Sequence, residues 1–264
     1  MKDCRARVLS KQTYAPGLFS LKCEAPDLAK NLEAGQFAMI GVDGRSQPYL
    51  RRAFSVADRE RASGEVEFLV KRVGPGTRCL ETLTADSEVS LLGPLGNSFS
   101  TQDLSRGQRV AIVAGGVGVA PFPILLRALR ERGVRADLFF GGRTAGDLAY
   151  REKISSLVSG EEFDSTDDGS AGRRGRVTEI FRETLLKGQL PRRVYACGPT
   201  AMFVRLAEIV EEFSLDAEFS TEAPMGCGFG VCLGCVLPRA GGGFLVSCQE
   251  GPILPPARVN WGAR

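Results

Sequence analysis

Residues 111–122 read AIVAGGVGVAPF, an apolar run that breaks into glycines and then opens a helix. The run over residues 110–114 contains no polar residue, as suits a strand covered on both faces of a parallel sheet. The helix over residues 122–132 presents one apolar stripe, Phe122, Leu125, Leu126 and Leu129. Downstream the rhythm repeats: strands at 136–140, near 162–166, at 193–197 and at 217–219 alternate with helices near 148–158, 178–186 and 200–213. That alternation predicts a doubly wound parallel α/β sheet. In the last helix Met202, Leu206, Ile209, Val210 and Phe213 share one face at helical spacing, which reads as a core face.

Upstream the pattern is different. Short strands are expected at 5–10, 19–24, 37–42, 54–57, 66–72 and 88–92, separated by turn residues, and six such strands predict a small antiparallel β-barrel. Gly74-Pro75-Gly76 breaks the pattern, and Thr77 is placed to cap a short helix running to about residue 83. Beyond Thr221 the chain is rich in Gly and Cys and too short for a core of its own without a staple. The expected organisation is α+β and multi-domain: a barrel over residues 1–100, an α/β domain over 101–221 and a small cysteine-bearing segment over 222–264.

Composition narrows the chemistry. A net charge of +3 gives no strong field for nucleic acid. Histidine is absent, which removes Ser-His-Asp and Cys-His catalysis, histidine-ligated zinc or haem, and a Rieske cluster. Chemistry carried by a cofactor remains, and no catalytic side chain is assigned. The charged N-terminus lacks the apolar stretch of a signal peptide and no apolar run approaches a membrane span, so a cytoplasmic protein is expected.

Of eight cysteines, Cys227, Cys232, Cys235 and Cys248 form the C-x4-C-x2-C…C spacing of plant-type [2Fe-2S] sites. Gly226, Gly228, Gly230 and Gly234 let the backbone close around a cluster and turn N–H groups toward sulfur. A Cys4 zinc site uses the same thiolates, although zinc ribbons usually present two C-x2-C pairs, and disulfides are the third reading. The loop Gly115-Gly116-x-Gly118-x-Ala120-Pro121 can meet a pyrophosphate with backbone amides at a helix start, and it departs from G-x-G-x-x-G. Gly198, Pro199 and Met202 follow Cys197 at a later strand end, where open α/β sheets bind ligands; Cys197 itself reads as a small buried thiol. In Arg52-Ala53-Phe54-Ser55, the arginine can hold phosphate and the serine can reach a flavin ring atom, with Gly76 and Thr77 at a nearby helix start.

Together these motifs resemble the ferredoxin-reductase superfamily. The segments STEAPMGCGFGVCLGC from Ser220 and CQEGPILP from Cys248 resemble the electron-transfer subunits of type B, NAD-dependent dihydroorotate dehydrogenases. TDDGSAG from Thr166, GGRT from Gly141 and Val259-Asn260-Trp261 extend the resemblance over nearly the whole chain. Similar proteins often carry proline where this chain has Ala53; its loss removes a fixed φ but leaves Arg52 and Ser55 in place. The resemblance implies FAD held by Arg52, Ala53, Phe54, Ser55, Leu69, Val70, Lys71, Gly76 and Thr77. It implies NAD held by Gly115, Gly116, Gly118, Ala120, Pro121, Gly198, Pro199 and Met202. Asp167, Asp168, Arg143 and Glu222 are read as solvated charges that the comparison brings near the cleft.

The implied function is transfer of electrons from the FMN of a separate catalytic subunit through the cluster and FAD to NAD⁺ in pyrimidine biosynthesis, in a heterotetramer of two of each subunit. Exposed apolar residues around Phe229, Val231 and Leu233 are expected at the subunit interface. A reductase serving a sulfite reductase, hydrogenase or oxygenase is the second reading, and a Cys4-zinc scaffold the third.

Overall fold

Alternation of buried and exposed side chains builds the first domain: on β1 (Lys2–Ala15) Ala6 and Val8 are buried while Arg5 and Arg7 face solvent. The computed structural model describes residues 1–42 and 49–263. Among them β1, β2 (Leu18–Glu24), β3 (Phe37–Gly41), β4 (Arg52–Glu60), β5 (Glu65–Lys71) and β6 (Glu88–Leu95) close an antiparallel barrel in the order β1-β2-β5-β4-β3-β6. The expected barrel is present, with β1, β2, β4 and β6 longer than the sequence suggested. Strand β5 is buried on both faces, because Glu67, Leu69 and Lys71 on one face lie toward the second domain. A short helix that the sequence reading lacks, α1 (Pro26–Asn31), lies against β5 and β6 through Leu28 and Ala29.

The helix expected from Thr77 begins earlier, as α2 (Pro75–Glu81). Pro75 starts it without needing an N–H partner. Thr77 therefore sits inside the first turn, where its Oγ1 accepts from the N–H groups of Val73 (2.8 Å) and Gly74 (3.0 Å).

The second domain comprises β7 (Arg109–Gly115), α3 (Phe122–Glu131), β8 (Arg135–Gly142), α4 (Arg151–Ser155), β9 (Glu162–Thr166), β10 (Arg173–Arg174), α5 (Val177–Leu186), β11 (Val194–Cys197), α6 (Thr200–Glu212) and β12 (Ala217–Ser220). Helix α4 is shorter than expected: Ser156 turns its hydroxyl onto Lys153 O and ends it. The sheet order is β10-β9-β8-β7-β11-β12 with a last strand, β15 (Ile253–Leu254), added beyond β12, and it is parallel except at that strand. Strand order reverses between β7 and β11, so their C-terminal ends open onto the crevice where such sheets bind ligands.

The C-terminal segment contributes β13 (Val236–Pro238), β14 (Phe244–Val246), α7 (Ser247–Glu250) and β15 (Ile253–Leu254). It is tied to both domains. β15 pairs antiparallel with β12, and Leu237, Leu245, Leu254, Val259 and Trp261 enter the core of the α/β domain. Trp261 lies 5.2 Å from the Phe203 ring and 5.7 Å from Phe219, and its Nε1 donates to Pro256 O at 2.9 Å. On its other side Cys235 and Cys248 pack with Phe37, Met39, Leu92 and Leu95 of the barrel. The segment, expected to be too short for a core of its own, thus borrows cores from both neighbours.

The two large domains also meet directly through Asp58–Arg127, Glu67–Lys153 and Lys71–Asp147 ion pairs.

Candidate flavin, nicotinamide and cluster sites

A cavity of about 550 Å³ opens between barrel, α/β domain and C-terminal segment. The barrel contributes Arg52, Ala53, Phe54, Ser55, Leu69, Lys71 and Thr77. Of the expected flavin residues, Val70 and Gly76 are not on its wall. Val70 alternates to the opposite face of β5 from Leu69 and is fully buried. Gly76 acts indirectly: a Cβ there would stand 2.6 Å from Arg52 Nε, so glycine lets the guanidinium lie across the start of α2. Arg52 is steadied by donating to Leu50 O, and Arg51 pairs with Asp3 at 2.8 Å.

Ala120 and Pro121, expected on the nicotinamide nucleotide, line this cavity, because the turn after β7 faces the barrel where α3 begins. Cys197 also lines it, with its thiol pushed up by burial. The sequence reading missed Thr221, at the end of the α/β domain, and Ala223, Pro224 and Met225 of the C-terminal segment, which close the cavity. Thr221 is anchored by its N–H and Oγ1, both donating to Pro252 O at 2.8 and 2.9 Å.

A second cavity of about 580 Å³ runs along the ends of β7, β8 and β11. It is lined by Gly115, Gly116, Gly118, Gly198, Pro199 and Met202, all expected there. The glycines have separate reasons. Gly116 adopts φ +54° with nothing within 4 Å of a would-be Cβ, whereas at Gly118 a Cβ would stand 2.4 Å from Cys197 O. Arg143, Asp167 and Glu222 line this cleft as well; Asp168 does not, and instead accepts from the Ser170 N–H and hydroxyl. Arg176 and Arg205 add positive charge that the sequence reading did not assign to it. Burial opposes ionisation of Asp147, yet Lys71 and the Arg143 N–H hold its carboxyl below the usual range. Lys71 and Glu222 line both cavities.

The four motif cysteines come together in two couples. Cys232 N–H donates to Cys227 Sγ at 3.5 Å, and Cys248 N–H donates to Cys235 Sγ at 3.3 Å. Gly228 and Gly230 take φ of +83° and +88°, and Leu233 follows at +53°, so the loop winds tightly. Burial raises the Cys227 thiol, but the N–H groups of Cys232, Phe229 and Val231 outweigh it and bring the pKa down to about 6. Cys248, buried beside Cys235, is pushed up to about 12. Among the described residues no three Cys, Asp or Glu side chains converge as ligands of one ion. Two couples suit a two-iron cluster, in which each iron takes two thiolates, better than one tetrahedral zinc. The amide-lined loop and the donor set fit that group.

Three family profiles cover the chain: an oxidoreductase FAD-binding domain over residues 6–99, an oxidoreductase NAD-binding domain over 112–207, and the iron-sulfur cluster binding domain of dihydroorotate dehydrogenase B over 222–260. The electron transfer subunit of dihydroorotate dehydrogenase B (NAD(+)) from Desulforamulus reducens is 30% identical over 259 residues, spanning 97% of each chain. Its counterpart from Enterococcus faecalis is 32% identical over 256 residues, 96% of each. The chain belongs to the family of dihydroorotate dehydrogenase B electron-transfer subunits.

Members of this family are oxidoreductase subunits, and the FAD-, NAD- and iron-sulfur-binding domains expected from the sequence are all present. The fold agrees. The solved structure of an NADH-dependent reduced ferredoxin-NADP oxidoreductase superposes with a TM-score of 0.86 at 27% identity, covering 98% of this chain and 90% of that one.

Proposed function

We propose that this chain carries electrons from the FMN of a dihydroorotate dehydrogenase catalytic subunit, through a [2Fe-2S] cluster and FAD, to NAD⁺ in pyrimidine biosynthesis. The observation that carries the reading is the shared flavin cavity: barrel, α/β domain and cluster-bearing segment each supply part of its wall. A flavin held there lies beside the nucleotide cleft on one side and the cysteine segment on the other. When bound, the cluster supplies one-electron transfer and the flavin exchanges single electrons for a hydride.

The chain's own residues bind and orient. Arg52 holds the flavin pyrophosphate, helped by Thr77 at the start of α2, while Ser55, Leu69 and Lys71 face the ring. Gly115, Gly116 and Gly118 bring backbone close to the dinucleotide, and Gly198, Pro199 and Met202 form the edge on which the nicotinamide docks. Cys227 with Cys232, and Cys235 with Cys248, hold one iron each. The functional units follow residues 1–100, 101–221 and 222–264.

Phe229, Val231 and Leu233 are 41%, 74% and 59% exposed around the cysteine loop, as a docking face for the catalytic subunit requires. The complex is a cytoplasmic heterotetramer of two of each subunit; among the described residues no helix is long and apolar enough to cross a membrane.

The test is co-expression with the cognate catalytic subunit, followed by an assay of dihydroorotate-dependent NADH formation. Coupled NADH formation, lost with complex formation in Phe229→Asp/Leu233→Asp, is the expected result. NADH formation that ignores the catalytic subunit, or a complex untouched by both substitutions, contradicts the reading or its interface respectively.

A further inference from the structure

The order of the sheet sets the direction in which a dinucleotide lies along the cleft. Gly198, Pro199 and Met202 follow β11, the glycine turn follows β7, and β8 lies on the far side of β7 from β11. With the nicotinamide docked at β11 and the pyrophosphate at β7, as the function proposed above requires, the adenosine half runs over the end of β8. Gly115 on β7 and Gly141 on β8 are register partners, so that end is one strand, about 5 Å, farther along the sheet. Helix α5 begins there: a Cβ at Gly141 would stand 2.6 Å from Val177 Cβ.

Three features of this helix start suit an anion. Its first turn has no side-chain cap, which leaves the leading N–H groups without an intrahelical acceptor. Thr178, in that turn, is 2% exposed yet lies on the cleft wall, and its hydroxyl has no hydrogen-bond partner among the described residues. A buried hydroxyl in that state is costly unless a ligand meets it. Arg176, immediately before the helix and also on the cleft, makes no ion pair among the described residues. The other two arginines are engaged: Arg205 lies 2.6 Å from Glu208 and Arg143 lies 3.7 Å from Asp147.

One carboxylate opposes them. Asp147 is engaged by Lys71, but Asp167, whose N–H donates to Gly142 O at 3.0 Å, stands at the end of β8 on the same cleft. An unphosphorylated ribose can give its hydroxyl to Asp167, and it leaves Arg176, Thr178 and the helix N–H groups unused. A ribose 2′-phosphate uses all three, since it offers several acceptor oxygens and the charge that an arginine and a helix N-terminus favour.

We propose that Arg176, Thr178 and the start of α5 form a site for the 2′-phosphate of NADP(H), so that the cleft takes the phosphorylated dinucleotide as well as NAD(H). The nicotinamide and pyrophosphate contacts are shared by both ligands, and the site acts only on the adenosine end.

Dissociation constants for NADP⁺ and NAD⁺ are measured by equilibrium titration of the full chain loaded with FAD and cluster, for wild type, Arg176→Gln and Asp167→Asn. Wild type is expected to bind NADP⁺ within about tenfold of NAD⁺. Arg176→Gln should weaken NADP⁺ at least about tenfold more than NAD⁺, as loss of one charged hydrogen bond to phosphate implies. Asp167→Asn should move the ratio the other way, toward NADP⁺. A larger wild-type preference for NAD⁺, or any smaller difference between the two ligands in Arg176→Gln, overturns the assignment. Equal weakening of both would put Arg176 on the pyrophosphate that they share. Because binding is measured on this chain alone, it stands apart from the coupled assay with the catalytic subunit, whose failure would instead overturn the proposed function.

Discussion

At the residue scale, local spacing carried far and strand orientation did not. The four cysteines and their glycines stand out in the sequence because a cluster loop is made from contiguous residues, and the structure gathers them as two couples. Val70 lies off the cavity because its side chain alternates to the other face of β5, and Ala120 and Pro121 lie on it because the turn after β7 looks toward the barrel. Glu222 read as a solvated charge, since nothing local shows that two cavities meet at it. Gly230 makes the cluster loop testable. Its φ is +88° and a Cβ would stand 2.0 Å from Gln249 Nε2. Gly230→Ala should cost about 1–2 kcal/mol of backbone strain beyond the displaced glutamine. Iron and acid-labile sulfide per chain should fall while FAD content holds; unchanged iron would show that the loop tolerates a side chain there.

At the element scale, long periodic segments were legible and short borrowed ones were not. Helix α6 announces itself through Met202, Leu206, Ile209 and Val210, which are buried as expected. α1, with six residues, and β15, with two, have no period to read, and β15 exists because β12 offers it an edge. That borrowed edge and the Trp261 contacts hold the C-terminal segment to the α/β domain independently of any metal. Trp261→Ala removes a buried ring packed on Phe203 and Phe219, together with a hydrogen bond, and should lower stability by about 3–5 kcal/mol. Urea unfolding followed by far-ultraviolet circular dichroism measures it. A loss below about 1 kcal/mol would mean that the cluster, and not the shared core, anchors the segment.

At the scale of the whole molecule, the three-part order along the chain was legible from the change of rhythm between strands alone, strand with helix, and cysteine segment. How the parts close on one another was not, because Asp58–Arg127, Glu67–Lys153 and Lys71–Asp147 join residues 69 to 86 positions apart. Those contacts, with Cys235 and Cys248 packed on the barrel, bring the flavin cavity between the nucleotide cleft and the cysteine couples. The arrangement makes the cluster the route to the partner and leaves the exchange between flavin and nucleotide independent of it. The direct test is Cys235→Ser in the reconstituted complex, with two rates measured on the same preparation. Dihydroorotate-dependent reduction of NAD⁺ should be abolished, while NADH oxidation by an artificial two-electron acceptor persists at near the wild-type rate. Retention of dihydroorotate-dependent NAD⁺ reduction in a variant shown to lack the cluster would contradict the relay.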